Sequence, residues 1–392
     1  MITLIENGEV YAPAPLGRQS VLLLDGTIAR VGAVDRRAAE SLGVECDVID
    51  ASGCVVCPGL IDPHEHILGG SGEKGFASMT PEIYVEELVS AGVTTVVGCL
   101  GVDVTMKNMS GLVGKAKGLR EQGIDAHLWT GGYRVPPTSL SPSVREDILF
   151  IEEVIGAGEI AISDERSMDP EPHELAQIVH DSYIGGMLAN KCGLTHFHVG
   201  DEDGRLAPLR DLIDHYNVEP CWLYATHVER NESLMREAIQ LARAGAIVDV
   251  DVVEEDFPTW LRFYLDNGGE PTRLTISSDA SISAPRTLYQ QVCEAVLRHG
   301  FALEVVLAFV TANTARALRL DRQGTLEPGK AGDLLVLDRR TLELIHVHGR
   351  GGWLMRDRTL AEHSRWLEGN KRELHLAGTG VGHQASREGA AS

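Results

Sequence analysis

Seven apolar runs decide the fold: VTTVVGCL (93–100), AHLWT (126–130), EIAIS (159–163), THFHV (195–199), CWLYAT (221–226), AIVDV (246–250) and LTISS (274–278). An eighth, Cys57–Ile61, precedes them, and helical patterns fill the gaps. The spacing averages about 30 residues, the size of one βαβ unit. Strands that alternate with helices build a parallel sheet, and eight such units complete a (β/α)₈ TIM barrel. The ends of the chain have another texture. Short strands are predicted at Met1–Leu4, Ser20–Leu24, Thr27–Val31, Asp47–Asp50 and Cys54–Cys57, with hairpin turns at Asn7-Gly8 and Asp25-Gly26. Asp333–Asp338 and Leu342–His348 alternate apolar and polar residues in the same way. The expected α/β architecture is therefore a barrel over 58–324 beside a small discontinuous β-sandwich domain. That domain is built from both chain ends, residues 1–57 plus 325–370. Residues 378–392, rich in Gly, Ala and Ser, read as a flexible tail.

The 392 residues are 43% hydrophobic and 23% charged, a globular balance that excludes disordered and collagen-like classes. The net charge of −22 disfavours nucleic acid and anionic membranes as partners. No run reaches the roughly 18 apolar residues of a membrane span. The start MITLIENGEVYAP does not read as a signal peptide. Seven scattered cysteines argue against a disulfide framework, so the expected setting is reducing and cytoplasmic. Cys54 and Cys57 form a lone C-x-x-C, read as two small buried residues rather than a metal or redox pair.

In such a barrel the chemistry sits at the C-terminal strand ends. The first run leads into Asp62-Pro63-His64-Glu65-His66, where the period of two puts both imidazoles on one face, a natural pair of metal ligands. Later runs lead into His196-Phe197-His198, His227 and Asp279. Glu159 is a carboxylate in an otherwise apolar strand. Buried, it would be costly unless paired or metal-bound, and its two oxygens could bridge two ions. The competing reading has Glu159 merely opening its strand in solvent. His196 shares the face of His198, but the ligand is expected to be the one nearer the strand end. His173, His180 and His299 are expected at the surface.

This pattern resembles the amidohydrolase superfamily. The carriers are the eight-strand rhythm, Gly59–His66, the two later histidines, Asp279, and the segment Gly324–Leu334. Within it the chain is most similar to the isoaspartyl dipeptidase branch, through Gly69-Gly70-Ser71-Gly72-Glu73, Thr130–Tyr133, Ala161–Ser167, His198–Asp201, Thr226–Asn231 and Ser277–Ser283. The resemblance implies hydrolysis of the isopeptide bond of β-aspartyl dipeptides by water activated between two divalent ions, Zn²⁺ first among them. It assigns His64 and His66 to one ion and His198 and His227 to the other, with Glu159 bridging. Asp279 would bind the first ion and shuttle protons, and Tyr133 would stabilise the oxyanion. Glu73 would receive the substrate's amine, Arg166 and Arg230 its carboxylates, and Ser283 its aspartyl end. It also implies a homo-oligomer. Two departures stand out. Glu159 replaces a carboxylated lysine, which alters metal spacing, and Val102 replaces a threonine. Alternatives are an amidohydrolase for N-acyl-amino acids or cyclic amides, a deaminase, and a non-catalytic scaffold.

Overall fold

The computed structural model describes residues 1–41, 43–281 and 283–367, so the tail expected over 378–392 lies outside the described residues. Five strands open the chain: β1 (Ile2–Tyr11), β2 (Pro15–Leu24), β3 (Thr27–Gly32), β4 (Cys46–Asp50) and β5 (Cys54–Pro58). Eight follow with helices between them: β6 (Leu60–Glu65), β7 (Val93–Gly98), β8 (Asp125–Thr130), β9 (Val154–Ile162), β10 (Thr195–Val199), β11 (Leu223–Thr226), β12 (Ile247–Asp251) and β13 (Leu274–Ser277). Four close it: β14 (Leu334–Asp338), β15 (Leu344–Gly349), β16 (Gly352–Arg356) and β17 (Thr359–Leu360).

β6 to β13 form one parallel sheet in sequential order. Its two edges meet where the Asp279 N–H donates to the His64 carbonyl (3.1 Å) and the His66 N–H donates to Ala280 (3.0 Å). The result is the TIM-type barrel that the rhythm predicts. Nearly every strand residue is buried, as expected when helices cover one face and packed side chains fill the other. Two boundaries differ from expectation. The first barrel strand starts at Leu60, because Cys57 belongs to β5, which pairs with Leu335 of the small sheet. β9 starts at Val154, five residues before Glu159, so Glu159 is interior and fully buried rather than a solvated strand opening. Gly156 and Gly158 break the apolar pattern there and hide the true start.

The other nine strands join in one sheet, ordered β17-β16-β15-β14-β5-β1-β2-β3, with β4 on β1. Antiparallel pairing of β5 with β14, Val56 against Val336, joins the two chain ends. Cys54 packs on the core of this sheet and Cys57 on the barrel core, so the C-x-x-C residues face different cores, and all seven cysteines are free thiols. No helix of the described residues is long and apolar enough to cross a membrane.

Candidate metal centre at the barrel mouth

Four barrel strands, β6, β9, β10 and β11, with the turn after β13, bring four histidines and two carboxylates together. Period-two geometry on β6 carries His64 and His66 to the same side, as expected, with their Nε2 atoms 3.4 and 3.2 Å from Asp279 Oδ1. Glu159 reaches the centre from β9. A register shift there sets Ala157–Ile160 against only Thr195–Phe197 on β10. Each Glu159 oxygen serves its own pair of histidines. Oε1 lies 2.8 Å from His198 Nδ1 and 3.2 Å from His227 Nε2; Oε2 lies 3.2 Å from His64 Nε2 and 3.8 Å from His66 Nε2. His227 and Asp279 hold left-handed backbone, with φ of 63° and 47°. Each such non-glycine conformation costs about 1–3 kcal/mol and is typical of functional sites.

The two later histidines are each backed by a carboxylate. His227 Nδ1 lies 2.6 Å from Asp251 Oδ2, which leaves Nε2 for the centre. His198 is turned the other way: its Nε2 lies 2.9 Å from Asp164 Oδ2, and Nδ1 faces Glu159. Such partners fix ring orientation and raise ligand basicity. Burial alone would push the Glu159 carboxyl up, yet the His64 charge and bonds from His198 and His227 hold it well below the usual range. Asp279 is likewise lowered against its burial, chiefly by His64. Burial opposes charge on His64, but Glu159 overrides it and raises the imidazole well above its ordinary value. His227 is pushed up to about 9, its burial outweighed by bonds to Asp251 and Glu159. The cluster thus attracts positive charge into its middle. His64 Nε2 and Glu159 Oε2, both buried, have no hydrogen-bond partner. Orphaned imidazole and carboxylate atoms facing one another, in a set of N and O donors, fit one or two divalent ions.

Tyr133 follows β8 and is buried, its hydroxyl 2.8 Å from His198 Nδ1. Burial, and then the Glu159 charge, push its phenol well above the ordinary value, so it stays a proton donor. A cleft of about 160 Å³ opens above the centre; Glu73, Tyr133, Arg166, Arg230 and Asp279 line it. Arg166 donates through Nη1 to Glu73 Oε1 (2.6 Å), and Arg230 donates through Nε to the Val199 carbonyl (2.8 Å). Ser283 is not brought into the lining. Its hydroxyl donates to the carbonyls of Ser278 and Asp279 in its own turn, and Ser281 faces the cleft instead. Val102 lines the cleft, as does Cys99, whose Sγ lies 3.6 Å from His66 Nδ1. His196 sits deeper, fully buried, with both ring nitrogens unpartnered, between Trp129 and Tyr224. A larger groove of about 470 Å³, lined by His173, His180 and Asp181, lies elsewhere and shares no residue with the mouth.

Residues 261–368 match the model of the amidohydrolase family. The whole fold superposes on a β-aspartyl dipeptidase from the thermophilic, keratin-degrading Fervidobacterium islandicum AW-1. The match is 34% identical, covers 92% of this chain and 99% of that one, and has a TM-score of 0.88. The chain belongs to the amidohydrolase family. The same dipeptidase in complex with β-Asp-Leu gives 33% identity, the same coverage and a TM-score of 0.87. An enamidase from Eubacterium barkeri is 22% identical over 352 residues, 85% of this chain and 84% of that protein. Amidohydrolases are typically metal-dependent, in keeping with the donor set at the mouth.

Asp164 and Asp251, which back His198 and His227, do not stand out in the amino-acid sequence of this amidohydrolase as site residues. Asp251 leaves a signal: Asp249 and Asp251 alternate in the apolar strand Ile247–Asp251, so both must point to one face. Asp164 leaves none beyond its place after β9. Its role depends on the neighbouring strand's His198.

Proposed function

We propose that this amidohydrolase cleaves the isopeptide bond of β-aspartyl dipeptides. His64, His66, Glu159 and Asp279 would hold one divalent ion, and His198, His227 and Glu159 a second, with zinc the ion that suits these donors. The observation that carries the reading is the 34% identity over essentially the whole length of a β-aspartyl dipeptidase. The pairing of each Glu159 oxygen with its own two histidines supports it. Bound ions would supply Lewis-acid polarisation of the amide carbonyl and lower the pKa of water.

The chain's own residues do the rest. Asp279 Oδ1 takes the proton released as water adds to the carbonyl and returns it to the leaving nitrogen. The Tyr133 hydroxyl donates to the developing oxyanion, a contact typically worth about 3 kcal/mol of barrier. Glu73 meets the substrate's ammonium, and Arg166 and Arg230 meet its carboxylates, for which the guanidinium fork is geometrically suited. Charges of both signs at the cleft fit a zwitterionic substrate. A cyclic amide needs no amine receptor, so its hydrolysis would leave Glu73 without a task.

Release of aspartate from β-Asp-Leu, beside α-Asp-Leu, by zinc-loaded protein tests the proposal. Cleavage of the β-linked peptide alone is the expected result. Cleavage of neither, with two ions bound per chain, would overturn it and turn attention to N-acyl and cyclic amides.

A further inference from the structure

Asp164 stands between the cleft and the metal centre and is engaged from both sides. Its Oδ2 lies 2.9 Å from His198 Nε2 and accepts from Arg166 Nη2 at 2.8 Å. Its Oδ1 accepts from the Arg166 side chain through Nε and from the Arg166 backbone N–H, both at 2.8 Å. The carboxylate is buried, 6% exposed, so water does not compete for these bonds. Arg166 lies over the Tyr133 ring, 5.3 Å from its centroid, and its remaining nitrogen Nη1 reaches outward to Glu73. A side chain at Gly200 would collide with Ser163 and Asp164, so glycine there lets the Asp164 turn close onto β10. A continuous path therefore runs Glu73–Arg166–Asp164–His198–Glu159. Asp251 is the instructive contrast. It backs His227 at 2.6 Å, accepts the Val253 N–H (2.8 Å) on its other oxygen and shares a hydrogen bond with the buried Glu229, but among the described residues it pairs with no cleft arginine.

We infer that Asp164 is a positioning residue that couples the two recognition tasks: one carboxylate aims Arg166 at the substrate's carboxylate and aims His198 at the second metal position. The substrate half rests on the dipeptidase reading; the metal half does not. Asp251 serves the metal position alone. Replacing either carboxylate by its amide keeps the shape but offers an N–H where an acceptor is needed.

The test compares wild type with Asp164→Asn, Asp251→Asn and Arg166→Gln. Metal affinity is read by chelator competition and by the visible absorption of Co²⁺-loaded protein, and KM and kcat for β-Asp-Leu at saturating metal. Loss of an orienting partner typically weakens metal binding about 10–100-fold. D164N is expected to weaken the second ion by that factor, change the Co²⁺ spectrum and raise KM about tenfold, the worth of one good polar contact. D251N is expected to weaken the ion alone, and R166Q to raise KM with a smaller effect on the metal than D164N, since Arg166 Nη2 also lies 3.1 Å from His198 Nε2. If D164N moves only one of the two quantities, or neither, the coupling is overturned. Should circular dichroism show D164N unfolded, Asp164→Glu carries the same pair of readings: both moving upholds the inference, and either standing still overturns it. A wild type inactive on β-Asp-Leu would sink the dipeptidase reading and overturn the coupling with it; the orienting of His198 by Asp164 would then stand if D164N weakens metal binding and fall if it does not.

Discussion

At the strand starts, Ile61, Ile155, Tyr224 and Ile247 pack with Leu318 and Leu320 into a closed apolar floor. At the strand ends, four histidines and two carboxylates crowd around orphaned polar atoms. Between the two, Asp249 accepts from Tyr224, Thr226, Thr275 and Ser277 at 2.5–3.1 Å, so this buried carboxylate is satisfied by the barrel itself. The floor is complete without any ion, whereas the mouth has donors left over. Shape and chemistry are thus assigned to opposite ends of the same eight strands, so damage at one end should leave the other's readout intact.

The largest expected effect is at the mouth. Glu159→Gln removes the charge that both histidine pairs face, so on the proposed two-ion reading metal content should fall below that of wild type. Activity should fall at least a thousandfold, about 4 kcal/mol of barrier. Elemental analysis beside the kinetics checks it, and full metal content would refute the bridging role. Next, Leu318→Ala in the floor should cost about 3 kcal/mol of stability, seen as a lower denaturation midpoint. Folded L318A should keep kcat within twofold of wild type; a large loss of kcat would break the separation of the two ends. Tyr133→Phe should lower kcat about a hundredfold, roughly 2.7 kcal/mol, with metal content unchanged. A change in metal content would mean that the hydroxyl orients His198 instead.

The smallest effect lies at the junction with the small sheet. Asp333 is pushed up to about 6 by burial, the bond from the Arg350 N–H only partly offsetting it. Its folded value exceeds its unfolded one, so folding favours the protonated acid. Stability should then be lost as pH rises from about 4 through about 6. Asp333→Asn should be more stable than wild type at pH 8 by about 1–2 kcal/mol, with the difference gone near pH 4. Thermal melts at both pH values test this, and an equal difference at both would contradict it.

Much of the mouth was legible because it follows rules of strand geometry. His64 and His66 share a face by the period of two, and Glu159 stands out as a carboxylate among apolar neighbours. The barrel itself follows from the spacing of runs. What could not be read were contacts that exist only after strands are placed side by side. Asp164 meets His198 across β9 and β10, and Asp251 meets His227 across β11 and β12. The hydroxyl of Ser283 turns back into its own loop for a reason the residue type does not carry. Strand ends were misplaced where glycines dilute the apolar signal, as before Glu159, or where two strands adjoin, as at Cys57 and Leu60.

The pairing of β5 with β14 has a consequence for how the chain comes off the ribosome. Val56 and its partner Val336 are roughly 280 residues apart. At about 5–20 residues per second, β5 emerges tens of seconds before the strand that will cover its edge. Throughout that interval a row of unpaired N–H and C=O groups, flanked by Val55, Val56 and Cys57, is open to any passing strand. Newborn chains should therefore be the most aggregation-prone form of this protein, and slowing synthesis between residues 60 and 330 should lower the soluble yield.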